Sequence, residues 1–173
     1  MTSTEAPLVR SSKRALVITV STRASAGVWD DRSGPVLREG LLALGLDVEG
    51  PVVVPDGDAV EAALRSAVES GFDLVVTTGG TGLTPTDLTP EMTSRVIERE
   101  VPGIAEALRA YGVAHGVPTA ILSRGLAGTA GGALVVNLPG STGGVRDGLA
   151  VLGDVVLHAL DQIPGSDHGA RTE

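Results

Sequence analysis

The sequence predicts a three-layer α/β/α domain built on a largely parallel sheet. Short β-prone apolar runs alternate with amphipathic segments along most of the 173 residues. Several of these runs are continuously apolar, which is typical of strands that helices cover on both faces. Glycine-rich and Asp-containing loops follow the runs, and ligands bind at the carboxyl ends of strands in such folds. The predicted fold therefore also predicts where a site should lie.

The first half of the chain contains three predicted strands and two predicted helices. Strands are expected at residues 15–20, 51–54 and 72–77, where Val, Ile, Leu and Thr predominate. A helix is predicted over 35–44, because it begins with proline and is followed by glycine. A second helix is predicted over 59–69, where apolar residues recur at helical spacing.

The second half repeats the alternation. A Thr-Pro-Glu sequence at 89–91 predicts the start of a helix, since proline suits the first helical turn. A further helix is predicted over 103–111, again after a proline. Strands are expected at 118–122 and 132–138, and a last helix is expected over 144–160.

These elements predict one domain. A chain of this length matches the usual size of a single domain. We expect the domain to span residues 14–163, with a flexible leader at 1–13 and a flexible tail at 164–173.

Composition excludes several classes of function. The 21 acidic and 13 basic residues give a net charge of −8, so a nucleic-acid interface is not expected. With three aromatic residues, stacking platforms for bases are not expected either. The chain has no cysteine, which excludes disulfides, thiol catalysis and thiolate metal sites. The apolar run at 15–20 is too short for a signal peptide or a membrane span, and we expect a cytoplasmic protein with no membrane partner.

A glycine-rich segment directly follows the predicted strand at 72–77. Its glycines leave backbone N–H groups uncovered, and its threonine hydroxyls add donors. Such a loop can bind phosphate, or it can be only a tight turn. The candidate phosphate or nucleotide site consists of Thr78, Gly79, Gly80, Thr81 and Gly82.

A second glycine-rich loop, residues 138–144, leads into the last predicted helix. Its backbone can bind an anion at the helix N-terminus. Alternatively, Ser141 or Thr142 simply caps the helix.

Two aspartates accompany these loops. Asp56 ends the strand at 51–54, and Asp87 follows the first glycine-rich segment. A carboxylate beside phosphates usually acts through Mg²⁺, because carboxylate and phosphate repel each other. Both residues are therefore candidate Mg²⁺ ligands, although each can instead cap a turn or a helix.

Other polar residues give weaker signals. Arg124, next to Ser123, offers a guanidinium for an oxyanion or for a surface ion pair. His115, His158 and His168 lack metal-ligand spacing and are expected to be structural.

The ordered set of these segments resembles the MoaB/Mog family of molybdenum cofactor biosynthesis proteins. The resemblance covers about residues 14–163, and the order of the motifs carries it rather than any one motif. The matching segments are Thr-Thr-Gly-Gly-Thr-Gly at 77–82, Asp-Leu-Thr-Pro-Glu at 87–91, Leu-Pro-Gly-Ser at 138–141, and residues 25–35, 54–56, 100–103 and 122–124.

The resemblance implies a molybdopterin-binding domain, usually a trimer, whose active forms use magnesium ATP to adenylylate molybdopterin and release pyrophosphate. The product would pass to a separate molybdate-insertion protein or domain. By position, Asp56 and Asp87 would serve Mg²⁺ and the transferring phosphoryl group. The loop from Gly79 to Gly82 would hold phosphate or nucleotide. The pterin side would be lined by Ser123, Asn137, Pro139, Gly140 and Ser141.

Two alternatives stay open. The protein could bind or carry molybdopterin without catalysis, since Thr22 and Thr142 stand where the family often has Asp and Pro. It could also be an enzyme of another class on the same domain, such as a nucleotide pyrophosphatase or amidase.

Overall fold

The structure is a computed structural model that describes residues 12–165. The leader predicted at 1–13 and the tail predicted at 164–173 lie almost entirely outside the described residues. In the first half, strands β1, β2 and β3 are Arg14–Val20, Asp47–Val54 and Leu74–Thr78. Helices α1, α2 and α3 are Thr22–Ser25, Ser33–Ala43 and Asp58–Glu69.

The second half of the described chain contains three further helices, three strands and a 3₁₀ helix. Helices α4, α5 and α6 are Thr89–Ser94, Pro102–Ala114 and Thr142–Gln162. Strands β4, β5 and β6 are Arg99–Glu100, Ala127–Ala130 and Ala133–Leu138, and the 3₁₀ helix is Pro118–Leu122.

The described strands form one sheet in the order β2-β1-β3-β6-β5-β4. Strands β2, β1, β3 and β6 pair in parallel, whereas β5 and β4 are antiparallel. The prediction of a largely parallel sheet is confirmed. The chain passes from β1 to β2 on one side of β1 and then to β3 on its other side. The strand order therefore reverses at β1, and such a reversal opens a crevice for ligands.

Helices cover both faces of the sheet. Alternate residues of β1 point to opposite sides: Ala15 and Val17 join the core formed with α2, α5 and α6, and Leu16 and Ile18 join the core formed with α3 and α4. Both cores are almost entirely aliphatic. The three-layer prediction is therefore confirmed. Within residues 12–165, no helix combines the length and the apolar composition that crossing a bilayer requires.

The prediction of a strand at 118–122 is wrong, because this segment is a 3₁₀ helix. Short apolar runs do not distinguish strands from helical turns, and here Ile121 and Leu122 are 65% and 48% exposed rather than buried in a sheet. The sheet position beside β6 is taken instead by β5, whose Ala-Gly-Thr-Ala sequence carries little strand signal. Strand β4 and helix α1, too short to predict, were also missed.

Candidate functional site

The candidate site lies at the carboxyl ends of the four parallel strands. The register pairs Val20 with Val54 across β1 and β2, and Thr78 with Leu138 across β3 and β6. Each of these residues is the last of its strand. The loops that follow must therefore leave the same edge of the sheet, which brings together segments that are far apart in sequence.

The first glycine-rich loop has a shape that only glycine allows. Gly79 and Gly80 both have positive φ, at 108° and 67°. A Cβ at Gly79 would collide with the carbonyl oxygen of Val20, and a Cβ at Gly80 would collide with the hydroxyl of Thr89. The buried Thr89 hydroxyl donates a 2.9 Å hydrogen bond to the Gly79 carbonyl. The loop is thus fixed in place before any ligand binds.

The two glycine-rich loops form one continuous floor. The Gly79 amide donates to the Leu138 carbonyl at 3.0 Å, and the Thr78 hydroxyl donates to the Pro139 carbonyl at 2.7 Å. A Cβ at Gly140 would lie only 3.2 Å from the Gly79 Cα. Ligand groups bound on the two loops would therefore be close neighbours.

Both predicted aspartates flank this floor. Asp56 Oδ1 lies 2.9 Å from the position a Cβ would take at Gly80. Asp87 Oδ2 lies 2.8 Å from the corresponding position at Gly82. The structure thus places both carboxylates against the first glycine-rich loop, as expected. Their roles as ligands stay predictions.

Hydroxyl groups orient the two carboxylates. Thr22 donates to Asp56 Oδ2 through its hydroxyl at 2.8 Å and through its amide at 3.3 Å. Thr84 donates to Asp87 Oδ2 through its hydroxyl at 2.7 Å and through its amide at 3.0 Å. Asp87 therefore also stabilises a turn, as the alternative interpretation expects. The two uses are compatible, because a carboxylate has several acceptor positions.

Two cavities meet at the floor. The aspartate cavity, of about 1170 Å³, is lined by both aspartates, by the first glycine-rich loop and by residues 19–24 and 28–33. The α5 cavity, of about 780 Å³, is lined by α5, the 3₁₀ helix and the start of α6. The residues common to both are Gly80, Asp87, Gly140 and Ser141.

The predicted site residues divide between these cavities. Thr78, Gly79 and Asp56 line the aspartate cavity only. Those lining only the α5 cavity are Thr81, Gly82, Ser123, Asn137 and Pro139. Every residue predicted for the pterin side therefore borders the α5 cavity.

Not every lining residue has a free polar group. The Asn137 amide is buried, receives a hydrogen bond from the Leu126 amide, and donates to Thr77 and Thr93. It holds β6 against α4 and the neighbouring strand. Ser141 caps α6 by accepting from the Gly144 amide at 3.0 Å, as one interpretation expects, and it also borders both cavities.

The donor set fits a magnesium ion that keeps water and phosphate ligands. Asp56 and Asp87 offer carboxylate oxygens to the same cavity, and such oxygens suit hard cations. Within residues 12–165, no group of three or more metal-ligating side chains is present. Mg²⁺ typically binds through one or two carboxylates together with substrate phosphates, so two carboxylates suffice.

Arg124 ties the parts of the site together. Its amide donates to the Thr81 carbonyl, and its guanidinium donates to the carbonyls of Gly82 and Asp87 at 2.9 and 2.7 Å. It also forms an ion pair with Glu91 of α4. The hydrogen bond from Arg124 holds the pKa of the Glu91 carboxyl below its usual value. Of the two interpretations, the structure favours the ion pair over a guanidinium presented to an oxyanion.

Sequence reasoning missed a loop that contributes to the lining of the aspartate cavity. Arg23 and Trp29 both line this cavity, and the Arg23 guanidinium lies 4.4 Å from the Trp29 ring centroid. A lone tryptophan in a polar loop beside predicted site segments was the available signal. Thr22, noted only as a departure from the family, turns out to contact Asp56 directly.

Comparisons with known proteins show which family this chain is similar to. A family model described as a probable molybdopterin binding domain matches residues 16–159. The solved structure of the molybdopterin biosynthesis Mog protein from Mycobacterium ulcerans is 51% identical, with a TM-score of 0.85, and the match covers 91% of this chain and 100% of that one.

Curated relatives carry names from molybdenum cofactor biosynthesis. The molybdopterin adenylyltransferase of Helicobacter pylori strain J99 is 38% identical over 154 residues, covering 87% of each chain. A molybdenum cofactor biosynthesis bifunctional protein of Synechococcus elongatus is 41% identical over 90% of this chain. The chain spans about half the length of that relative and of a similar bifunctional protein from Chlorobaculum tepidum.

Proposed function

The chain belongs to the family described as a probable molybdopterin binding domain, and from this premise we propose that it is a molybdopterin adenylyltransferase of molybdenum cofactor biosynthesis. The observation that carries the proposal is the meeting of two cavities at one glycine-rich floor, with Asp56 and Asp87 against it. A reaction that joins two substrates needs two adjoining compartments. The relative from Helicobacter pylori bears the name of this activity.

In the proposed reaction, ATP occupies the aspartate cavity and molybdopterin occupies the α5 cavity. An oxygen of the terminal phosphate of molybdopterin attacks the α-phosphorus of ATP and forms a new P–O bond. The bond from the α-phosphorus to the bridging oxygen breaks, and pyrophosphate leaves with that electron pair. The products are adenylyl-molybdopterin and pyrophosphate.

The chain's own residues position these groups. In this proposal the backbone amide of Gly80 faces the phosphates of ATP, since the Gly79 amide already donates to the Leu138 carbonyl, and the start of α6 at Ser141 faces the phosphate of molybdopterin. Because the pterin phosphate is itself the nucleophile, no side chain needs to form a covalent intermediate. In-line positioning and neutralised charge are enough for phosphoryl-type transfer.

We place Mg²⁺ at Asp56 and Asp87. When bound, the ion would offset the negative charge of the phosphates and polarise the transferring group. A cation is needed here because the chain carries a net charge of −8 and would otherwise repel both substrates.

The test is pyrophosphate release from Mg-ATP with and without molybdopterin. Release that depends on molybdopterin, with adenylylated pterin as the second product, supports the proposal. Release that is equally fast without the pterin would point to nucleotide hydrolysis, and the adenylyltransferase proposal would fall.

A non-catalytic molybdopterin carrier is the second candidate, and the Thr22–Asp56 contact favours it. Thr22 stands where the family often has aspartate, so the position beside Asp56 holds a hydroxyl that donates to it instead of a second carboxylate. Binding of the pterin without any pyrophosphate release would support this candidate. Thr22→Asp would then be expected to create activity.

Three further proposals follow from the family resemblance. We propose a homotrimer, a molybdate-insertion protein or domain as the recipient of the product, and a cytoplasmic location. Exposed apolar side chains such as Leu83 and Ile121, at 64% and 65% exposure, support assembly, because such surface is commonly buried between subunits.

A further inference from the structure

Trp29 is an unusual side chain in this protein. It is the single tryptophan of a chain with only three aromatic residues, yet it is 60% exposed. It lines the aspartate cavity, whose wall also contains Asp56 and Gly80. At this exposure the ring is not part of either core, and its place in the cavity lining makes it available to a ligand.

The Trp29 ring has a cation on one face. Arg23 covers one face as a cation–π partner, and the exposure of the side chain leaves the other face accessible. The backbone fixes this arrangement, since the amides of Val28 and Trp29 donate to the Arg23 carbonyl at 2.9 and 3.4 Å. Arg23 itself lies in α1, which Ser21 caps. None of these backbone contacts depends on the indole.

We propose that the free face of Trp29 is the platform on which the adenine of ATP stacks. The proposal deepens the proposed function and rests on it, because it names the subsite for the base in the cavity assigned to ATP. A purine has a flat π surface that stacks on indole. Arg23 on the opposite face completes a stack of guanidinium, indole and base, and its charge favours a triphosphate in an acidic protein.

With this subsite, different segments of the aspartate cavity hold the phosphates and the base of ATP. Asp56 and the glycine-rich loop serve the phosphates, whereas the loop containing Trp29 is a separate segment of the same cavity lining. A long nucleic-acid strand needs several aromatic rings to stack on, and a chain with three aromatic residues does not supply them. A single mononucleotide needs only one.

The first test uses Trp29 as its own probe. Because no other tryptophan is present, the intrinsic fluorescence of the full chain reports on this ring alone. We expect Mg-ATP to quench the emission saturably and Mg-tripolyphosphate, which lacks the base, to leave it unchanged. An unchanged emission while calorimetry detects ATP binding, or an equal response to tripolyphosphate, would overturn the proposal.

The second test measures the affinity for Mg-ATP by calorimetry in variants. Trp29→Ala is expected to weaken binding about tenfold, equivalent to about 1.4 kcal/mol, which is within the range for base–aromatic stacking. Trp29→Phe should restore most of the affinity. The matched control is Leu42→Ala, which truncates an apolar side chain of α2 that is 40% exposed and outside both cavities.

The two proposals fail in different ways. If Trp29→Ala binds ATP as tightly as the parent chain and releases pyrophosphate normally, only the stacking platform is refuted. If the parent chain binds no ATP at all, the proposed adenylyltransferase falls and the platform falls with it. A selective loss of ATP affinity, with the affinity for molybdopterin unchanged, supports both.

Discussion

At the scale of single residues, Asp87 is the most direct test of the proposed chemistry. Its carboxylate borders both cavities. We expect Asp87→Asn to lower pterin-dependent pyrophosphate release about 100-fold or more, a typical cost of removing a group that stabilises transition-state charge. The fold should survive, because the amide oxygen of asparagine can still accept from Thr84.

A matched variant separates this effect from a general loss of charge. Asp58 has a 97% exposed side chain and lines neither cavity, so Asp58→Asn should retain nearly full activity. A folded Asp87→Asn protein that turns over at the parent rate would remove Asp87 from the mechanism.

Sequence position was enough to predict that Asp56, Asp87 and the glycine-rich loop lie together, whereas their roles as ligands stay predictions. Turns and helix caps can also explain carboxylates and clustered glycines after strands, but parallel strands bring their carboxyl ends together whatever the role of each residue. Trp29 could not be assigned in the same way. Its role depends on which cavity its loop encloses and on the cation above its ring, and neither is visible in the order of residues.

At the scale of elements, the ion pair between Arg124 and Glu91 links the 3₁₀ helix segment to α4. The lowered pKa of Glu91 means that its contribution to stability is complete above the ordinary value of 4.5 and is lost as the pH falls below it. Both side chains are partly exposed, so we expect Glu91→Gln to cost less than about 1 kcal/mol at pH 7.

The measurement is the urea midpoint of the parent and of Glu91→Gln from pH 7 to pH 3. The gap between the two proteins should close as the pH drops through the lowered pKa of Glu91. A gap that stays constant over this range would show that the ion pair contributes nothing to the stability of the fold.

Helix α6 offers a comparison between two glycines on one element. A Cβ at Gly148 would lie 2.6 Å from Leu138 Cδ2, and Leu138 is fully buried, so a shift of its side chain would disturb its neighbours in the core. Gly148→Ala should therefore destabilise the protein by about 1–3 kcal/mol, as overpacking does. At the exposed Gly153 the nearest atom would be 3.5 Å away, so Gly153→Ala should stabilise by about 0.5–1 kcal/mol through helix propensity.

Denaturant unfolding of both variants checks this pair. Equal midpoints for the two variants would mean that α6 moves away from β6 at little cost, which would contradict the tight packing seen here.

The elements also show where sequence reasoning fails. The long amphipathic segment α3 and the continuously apolar strand β1 have clear sequence patterns, and both fold as those patterns predicted. The segment at 118–122 has neither length nor period and is a 3₁₀ helix, and the sheet position beside β6 is taken by β5. That neighbour, β5, is made of Ala, Gly and Thr, so its strand conformation comes from pairing rather than from propensity.

At the scale of the whole molecule, the exposed apolar surface predicts assembly. The end of α5 and the 3₁₀ helix pack together and leave side chains 43–65% exposed, which are Val113, Val117, Ile121 and Leu122. Contiguous apolar surface of this kind usually marks an interface. We expect a trimer, with a mass of about 52 kDa from three chains of 17.4 kDa.

Light scattering of the full chain at micromolar concentration measures this mass. Ile121→Asp places a charge in the apolar surface without touching either cavity lining, so it should shift the protein toward the 17.4 kDa monomer while circular dichroism stays unchanged. The control Val52→Asp alters a side chain of β2 that is 44% exposed, and it should leave the mass of the assembly as it was. A monomeric parent protein would refute the trimer. If the Ile121→Asp variant is still a trimer, the interface does not include Ile121. Because this surface adjoins the α5 cavity, loss of the trimer should also weaken molybdopterin binding while leaving ATP-dependent quenching of Trp29 in place.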